Sequence, residues 1–486
     1  MRPAAVAHYL GLVLALLGAL MLIPLGVSLI YGEHDQSAFL ISALITASAG
    51  GVLWFPTRGW SGLIQRRESF FIVAASWLLA GVFGALPFMM SGSFTSYLDA
   101  LFEAMGGFTT TAASVMADIE SHPRSILFWR NFTQWLGGIG IIAIFIGITP
   151  MVRLGALGGS AMFEDEVTGS QANRITPKLK DTVKTLWLIY IAFTLLCMVL
   201  LLAVGMPIFD AVGNSLSAVS SGGYSPRNAS IAYYQNPAAE WIIIVFMILS
   251  GINFALYYLI WKGKGSSAWQ DSELRAYLGI LVAVSALVTV DLLTSGVFSS
   301  LGETIRSATF HVVSLQTGTG FATRDFDAWP WLSKSLILLV MFIGGSSGST
   351  CGGLKVIRLL VVVKYAHRQL YSIFHPRVVI PLKIGGRVVP DGIVREALAF
   401  FVLFQSAYLL STLALTALGL DLVTALSGVA ATVGIVGPGL GLVGPAANYA
   451  GMPDLAKVVF ILDMYVGRLD LWTVLVLLRP AFWREP

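Results

Sequence analysis

The chain has 486 residues, of which only 12% are charged and 56% apolar, with a mean hydropathy of +0.79 and a formal net charge of +4. A soluble domain of this length does not carry so few charges, so soluble enzymes are excluded and an integral membrane protein is implied. The small positive charge reads as a topology signal and carries no nucleic-acid inference.

Apolar stretches near the ~20 residues that a bilayer requires fall at about 8–30, 37–56, 69–91, 125–149, 183–205, 238–261, 274–297, 333–366, 394–419 and 455–479. Ten crossings put both termini on one side. Arg2 precedes the first stretch, but the apolar run is too long for a signal peptide and lacks an A-x-A site, so it reads as a retained helix. Lys and Arg cluster in alternate gaps: Arg58, Arg66 and Arg67; Arg153, Arg174, Lys178, Lys180 and Lys184; Lys262 and Lys264; and Lys355 through Arg395. These gaps are expected to be cytoplasmic, with Arg479 and Arg484 inside and the acidic gap at Glu33 and Asp35 outside.

After the two leading stretches, a short apolar segment that opens with an acid and runs into a hinge recurs four times between long stretches. The copies span 99–113 (DALFEAMGGFTTTAA), 210–223 (DAVGNSLSAVSSGG), 303–319 (ETIRSATFHVVSLQTGT) and 421–435 (DLVTALSGVAATVGI). Each unit reads as long helix, half-length helix, irregular strand and long helix. Such backbone is tolerated at membrane depth only where protein or a water-filled cavity satisfies it, and four converging copies could form that cavity themselves. The opening acids Asp99, Asp210, Glu303 and Asp421 suit helix N-termini. They read both as caps and as devices that point the negative carbonyl ends toward the membrane centre, where a cation is favoured.

The hinges are TTTAAS, SSGGYS, QTGTGFAT and TVGIVGPG, with Ala112, Gly222, Gly318 and Gly434 aligned as their centres. Hydroxyl residues followed by glycine suit carbonyls that all turn to one side, and rings of carbonyls replace the hydration shell of a monovalent cation. The expected filter is Thr110, Thr111 and Ala112; Ser220, Ser221 and Gly222; Gln316, Thr317 and Gly318; and Thr432, Val433 and Gly434. Its ion ligands are expected to be the main-chain carbonyls of Thr111, Ala112, Ser221, Gly222, Thr317, Gly318, Val433 and Gly434.

On these hinges, SLQTGTGF and ATVGIVGPG above all, the chain resembles the Trk/Ktr/HKT superfamily of potassium transporters, and within it the bacterial Trk type, from end to end. The resemblance implies an all-α membrane fold with four pseudo-symmetric helix–pore helix–helix repeats around a central pore, plus two extra N-terminal helices. It also implies potassium uptake across the bacterial inner membrane, a pore within each subunit, a homodimer, and a peripheral cytoplasmic nucleotide-binding regulatory subunit of NAD or ATP type. Potassium is then the cargo, and no cofactor is expected in this chain. One departure stands out. Ala112 occupies a position where the family usually has glycine, and in plant relatives a non-glycine residue there accompanies sodium permeation.

The expected organisation is 1–67 as the leading appendage, 68–150 as repeat 1, 151–182 as a cytoplasmic loop and 183–262 as repeat 2. Repeat 3 spans 274–370, a second cytoplasmic loop 371–393 and repeat 4 394–480. The basic gaps, especially 151–184 and 364–395, are the candidate docking surface for a regulator.

Two features sit below the hinges. Gly344, Gly345, Ser346, Ser347, Gly348, Ser349, Thr350, Cys351, Gly352 and Gly353 interrupt the inner helix of the third repeat. Close helix packing through small residues, a passive kink and a mobile loop across the path all fit, and the resemblance favours a gate loop. Arg468, with Asp463 and Asp470 nearby, lies about 16 Å along its helix from Lys457, with no carboxylate on its own helix facing it. The resemblance places it in the pore as a positive barrier acting with the loop, and a structural ion pair with another helix is the other reading.

Gly344-Gly-Ser-Ser-Gly matches the G-x-S-x-G nucleophile-elbow pattern, but without a preceding strand or a His and Asp to serve it. Gly439-Leu-Gly-Leu-Val-Gly matches a dinucleotide fingerprint, but Pro445 follows at once. Both are set aside, and no catalytic residue is expected. Cys197 and Cys351 imply neither a disulfide nor a metal site, and the six histidines form no i, i+4 pair. A secondary transporter that couples potassium to protons or sodium is the alternative function, since such proteins also use broken helices at the midplane.

Overall fold

The computed structural model describes residues 1–60, 62, 64–148, 177–263, 265–375, 378, 380–469 and 471–484. Most of the basic loop expected at 151–182, and Asp470, lie outside the described residues. The fold is all-α. Its only sheet among the described residues is the two-stranded hairpin Lys383–Ile384 and Arg387–Val388. Four helix–pore helix–helix units surround a common centre.

The first unit runs Arg66–Gly84, the pore helix Tyr97–Phe108 and the inner helix Arg124–Ile148. The second runs Pro177–Ala203, Ile208–Ser220 and then Pro237–Ser250 with Phe254–Trp261. In the third, Ser272–Thr294 and Leu301–Gln316 lead to Trp331–Ile343 and, past a non-helical break, Val356–Phe374. The fourth consists of Asp391–Ala417, Leu422–Val433 and Asp454–Leu469 with Leu471–Leu478. By length and composition, six helices are able to cross a membrane, or seven if one bent pair counts as a span, among the described residues.

The four pore helices have 12, 13, 16 and 12 residues, too short to span a bilayer. Their opening acids do different work. Only Asp421 is an N-cap, accepting the Thr424 amide at 3.0 Å. Asp99, Asp210 and Glu303 lie in the first turn and pair with Lys457 (2.6 Å), Arg227 (2.9 Å) and Arg324 (2.6 Å). The Lys457 pair ties the fourth unit to the first across 358 positions of sequence.

The stretch at 238–261, expected as one continuous crossing, is broken. Its two helices meet at 91°, because Gly251 ends the first and Asn253 caps the second through the Ala255 amide at 2.9 Å. Residue chemistry explains the break: asparagine competes for backbone hydrogen bonds in a helix interior and serves well at an N-cap.

The leading helices Pro3–Leu20 and Gln36–Trp54 meet along a seam of small residues. A Cβ on Gly50 would meet the Ala15 amide nitrogen and the Gly11 carbonyl, and one on Gly11 would meet the backbone at Trp54 and Gly50. Arg2 anchors the pair to the first unit, donating to both carboxylate oxygens of Glu68 at 2.8 and 2.7 Å. Gly50→Leu should therefore destabilise the protein by about 1–3 kcal/mol through overpacking, read as a lower unfolding midpoint in detergent, whereas Gly51→Leu, on an open face, should not.

Candidate cation pathway

Each pore helix ends in a short strand whose backbone enters the left-handed region twice, two residues apart. The pairs are Thr110 and Ala112 (φ 59° and 60°), Ser221 and Gly223 (56° and 82°), Gly318 and Gly320 (74° and 78°), and Ile435 and Gly437 (59° and 100°). The hydrogen bonds repeat in the same register. The amides of Thr111 and Ala112 both reach the Gly106 carbonyl, Gly222 reaches Ser217, Thr319 and Gly320 both reach Ser314, and Val436 and Gly437 both reach Ala431. Because these N–H groups turn back to the pore helices, the strand carbonyls are left for other partners.

This register corrects the alignment expected from the glycines. Ala112 keeps its place, but its counterparts are Gly223, Gly320 and Gly437 rather than Gly222, Gly318 and Gly434. Gly318 matches Thr110, Gly222 matches Thr111, and Gly434 falls a further residue upstream, as the cap of its pore helix. Ser220, Gln316, Thr432 and Val433 lie in the last turns of their pore helices, and Thr317 is a helix cap. The physical reason is that Thr110, Ser221 and Ile435 adopt the left-handed backbone without being glycine, so glycine alone does not mark the level. The final residue of each hinge core, in TTTA, SSGG, TGTG and GIVG, carries the signal that would have found it.

The four strands converge. A Cβ on Gly223 would strike the carbonyl oxygen of Thr319, one on Gly320 that of Val436, and one on Gly437 that of Thr111. The contacts run from the second unit to the third, the fourth and back to the first, which closes a ring around one axis.

A buried polar shell holds the ring. On the first inner helix, Gln134 donates to the Gly222 carbonyl (2.8 Å) and accepts the Tyr224 amide (2.9 Å), while Asn131 donates to the Tyr224 carbonyl (2.6 Å). Arg130 donates to the Ser225 carbonyl (3.0 Å) and to Glu103 (2.5 Å), and its guanidinium lies 3.6 Å over the Tyr224 ring. Glu103 also accepts the Ser114 hydroxyl and the Val115 amide, so the pair locks units one and two together. In the fourth unit the Tyr449 hydroxyl donates to the Gly437 carbonyl at 2.8 Å.

Beneath the ring lies the segment 344–353. It docks on the helix break of the second unit: the Ser346 amide donates to the Gly251 carbonyl (2.9 Å), and the Phe254 amide donates to the Gly348 carbonyl (3.1 Å). The Thr350 hydroxyl meets that of Ser221 at 2.7 Å, at the lower level of the ring, and a Cβ on Gly352 would strike Ile435 and Gly434. Arg468, 4% exposed, donates to the carbonyls of Thr350 (2.7 Å) and Gly137 (3.0 Å), with Trp77 beside it. No carboxylate pairs with it among the described residues, so the structure joins Arg468 to the loop and not to an acid on another helix. Asp463 instead accepts the Ser411 hydroxyl at 2.6 Å.

Known proteins match this chain in sequence and in fold along its length. The family model described as "Cation transport protein" matches residues 35–484. The chain belongs to the TrkH family. Among its relatives, the Trk system potassium uptake protein TrkH of Salmonella typhimurium is 38% identical over 100% of both chains. The Trk system potassium uptake protein TrkG of Escherichia coli is 33% identical, covering 99% of this chain and 98% of its own. The crystal structure of the potassium transporter TrkH from Vibrio parahaemolyticus superposes with a TM-score of 0.92 at 35% identity, over 100% of both chains.

In this TrkH-family chain the Glu103–Arg130 pair is fully buried, with side chains 0% and 3% exposed. Arg130→Met should cost about 3–5 kcal/mol, because it strands a desolvated carboxylate. The measurement is the unfolding midpoint of the purified protein, and the Glu103→Gln, Arg130→Met double variant should recover part of the loss.

Proposed function

We propose that this chain carries potassium into the bacterial cell through a filter of main-chain carbonyls, gated below by the 344–353 loop and Arg468. The supporting observation is the convergence of four strands whose amides turn back to their own helices, with the carbonyls of Thr111, Thr319 and Val436 facing the neighbouring strand. Converging carbonyl dipoles of this kind replace the hydration shell of a monovalent cation. The potassium uptake named for the Salmonella and Escherichia relatives agrees with that chemistry.

In this reading the filter levels are Thr110, Ser221, Gly318 and Ile435 below and Ala112, Gly223, Gly320 and Gly437 above. Thr350 lies across the path and Arg468 adds a positive barrier, which a cation must displace or await. The chain acts as a transporter and not as an enzyme, in the inner membrane with both termini cytoplasmic, as the alternating Lys and Arg gaps support. A homodimer and a peripheral nucleotide-binding regulator on the basic face, which includes the helix Val356–Phe374, complete the proposed assembly. Ala112 allows some sodium through.

Expression in a strain without its own potassium uptake systems should restore growth on low potassium, and failure of a membrane-inserted protein to do so would count against the reading. Arg468→Ala should raise potassium flux severalfold in proteoliposomes, whereas unchanged flux in a stable variant would assign the arginine a purely structural role. Ala112→Gly should raise the potassium-to-sodium permeability ratio or leave it unchanged. A clear fall in that ratio would refute the placement of Ala112 in the filter.

A further inference from the structure

At the upper ring, three of the four contacts between neighbouring strands follow one rule. The Cβ direction of a left-handed glycine faces the carbonyl of the preceding residue level in the next strand: Gly223 faces Thr319, Gly320 faces Val436, and Gly437 faces Thr111. At the fourth contact, between the first strand and the second, the residue is alanine and not glycine. Ala112 has a real methyl group in the direction where each glycine meets a neighbouring carbonyl oxygen, and the same rule extended to the first strand would put the Gly222 carbonyl there. That carbonyl instead accepts a 2.8 Å hydrogen bond from the Gln134 side chain, on the inner helix behind the strand.

We infer that Gln134 is a specificity-setting positioning residue: its amide receives the Gly222 carbonyl that the Ala112 methyl displaces, leaving a ring of three carbonyls at this level. The inference rests on the transport reading above and deepens it. Gln134 suits the task because it is 0% exposed and already fixed by the Tyr224 amide, so its Nε2 has one orientation available. Without it, the displaced oxygen would be a buried acceptor with no donor, which the site cannot leave unsatisfied. A ring lacking one of four dipoles has a weaker field and coordinates less strictly, so it discriminates less between potassium and sodium.

The test is a square of four forms in proteoliposomes at fixed voltage: the native chain, Ala112→Gly, Gln134→Leu, and the two substitutions together. Tracer rubidium, as the potassium congener, and tracer sodium are both followed. With Ala112 present, Gln134→Leu should lower the rubidium-to-sodium ratio by about threefold, the scale of one net hydrogen bond. With Ala112→Gly, the carbonyl returns to the ring, so adding Gln134→Leu should leave the ratio unchanged or higher. An equal fall in both backgrounds would make Gln134 a plain strand clamp and overturn the inference, as would no change in either. If Gln134→Leu does not purify as a single species, Gln134→Asn, which keeps the amide one methylene short, takes its place in the square. Absence of rubidium uptake by all four forms would overturn the transport reading itself, and is told apart from the other outcomes by the native chain.

Discussion

Four main-chain strands whose amides are already committed cannot lie in hydrocarbon, and this constraint organises the molecule. Each strand sends its amides back to one carbonyl of its own pore helix: Gly106, Ser217, Ser314 or Ala431. The carbonyls that remain need partners, and an unpartnered one costs several kcal/mol in lipid. Convergence on a shared axis, where water or a cation can serve all four, is the arrangement that meets the need. Short pore helices, small residues where strands touch, and a polar shell around them follow from it.

The shell meets the same demand differently in each unit. The second strand is clamped from the neighbouring unit by Arg130, Asn131 and Gln134. The third is held by its own pore helix, through the Ser314 hydroxyl on the Phe321 carbonyl and through His311, whose ring takes up the Thr323 and Arg324 amides. The fourth uses Ser427 on Leu440 and Tyr449 on Gly437. Pseudo-symmetry is therefore a property of the backbone, and the side chains beneath it have diverged. Removing any one of these donors leaves a specific strand unsupported, and the other three intact.

That divergence explains what could be read in the sequence. The ten apolar stretches, the four short helices with acids at their starts, the ring and the interrupted third inner helix all leave periodic or compositional marks. The level of each residue in the ring does not, since a threonine, a serine and an isoleucine share the left-handed backbone with glycine, and aligning on the nearest glycine slips by one to three residues. The break at Gly251–Asn253 was equally hidden, because its flanks are as apolar as an unbroken span and only two residues announce it. Arg130, Asn131 and Gln134 cluster on the first inner helix, and their meaning lies in the strand of another unit.

The 344–353 segment shows how polar contacts can be both specific and replaceable. Its middle is held by hydroxyls and carbonyls, Ser221 and Ser250 on Thr350 and Arg468 on the Thr350 carbonyl, rather than by packed apolar side chains. Water can substitute for each of these bonds at little net cost, so a hydrated path does not oppose displacement of the middle. The flanks differ. One oxygen of Glu273, buried at 2% exposure, accepts the amides of both Ser347 (2.6 Å), inside the glycine-rich stretch, and Ile357 (3.1 Å), beyond its end. A buried acceptor with two backbone donors is hard to give up in a dry setting. One side chain thus holds the chain at Ser347 and again at Ile357, and the residues between them, Thr350 included, are tied by more replaceable bonds.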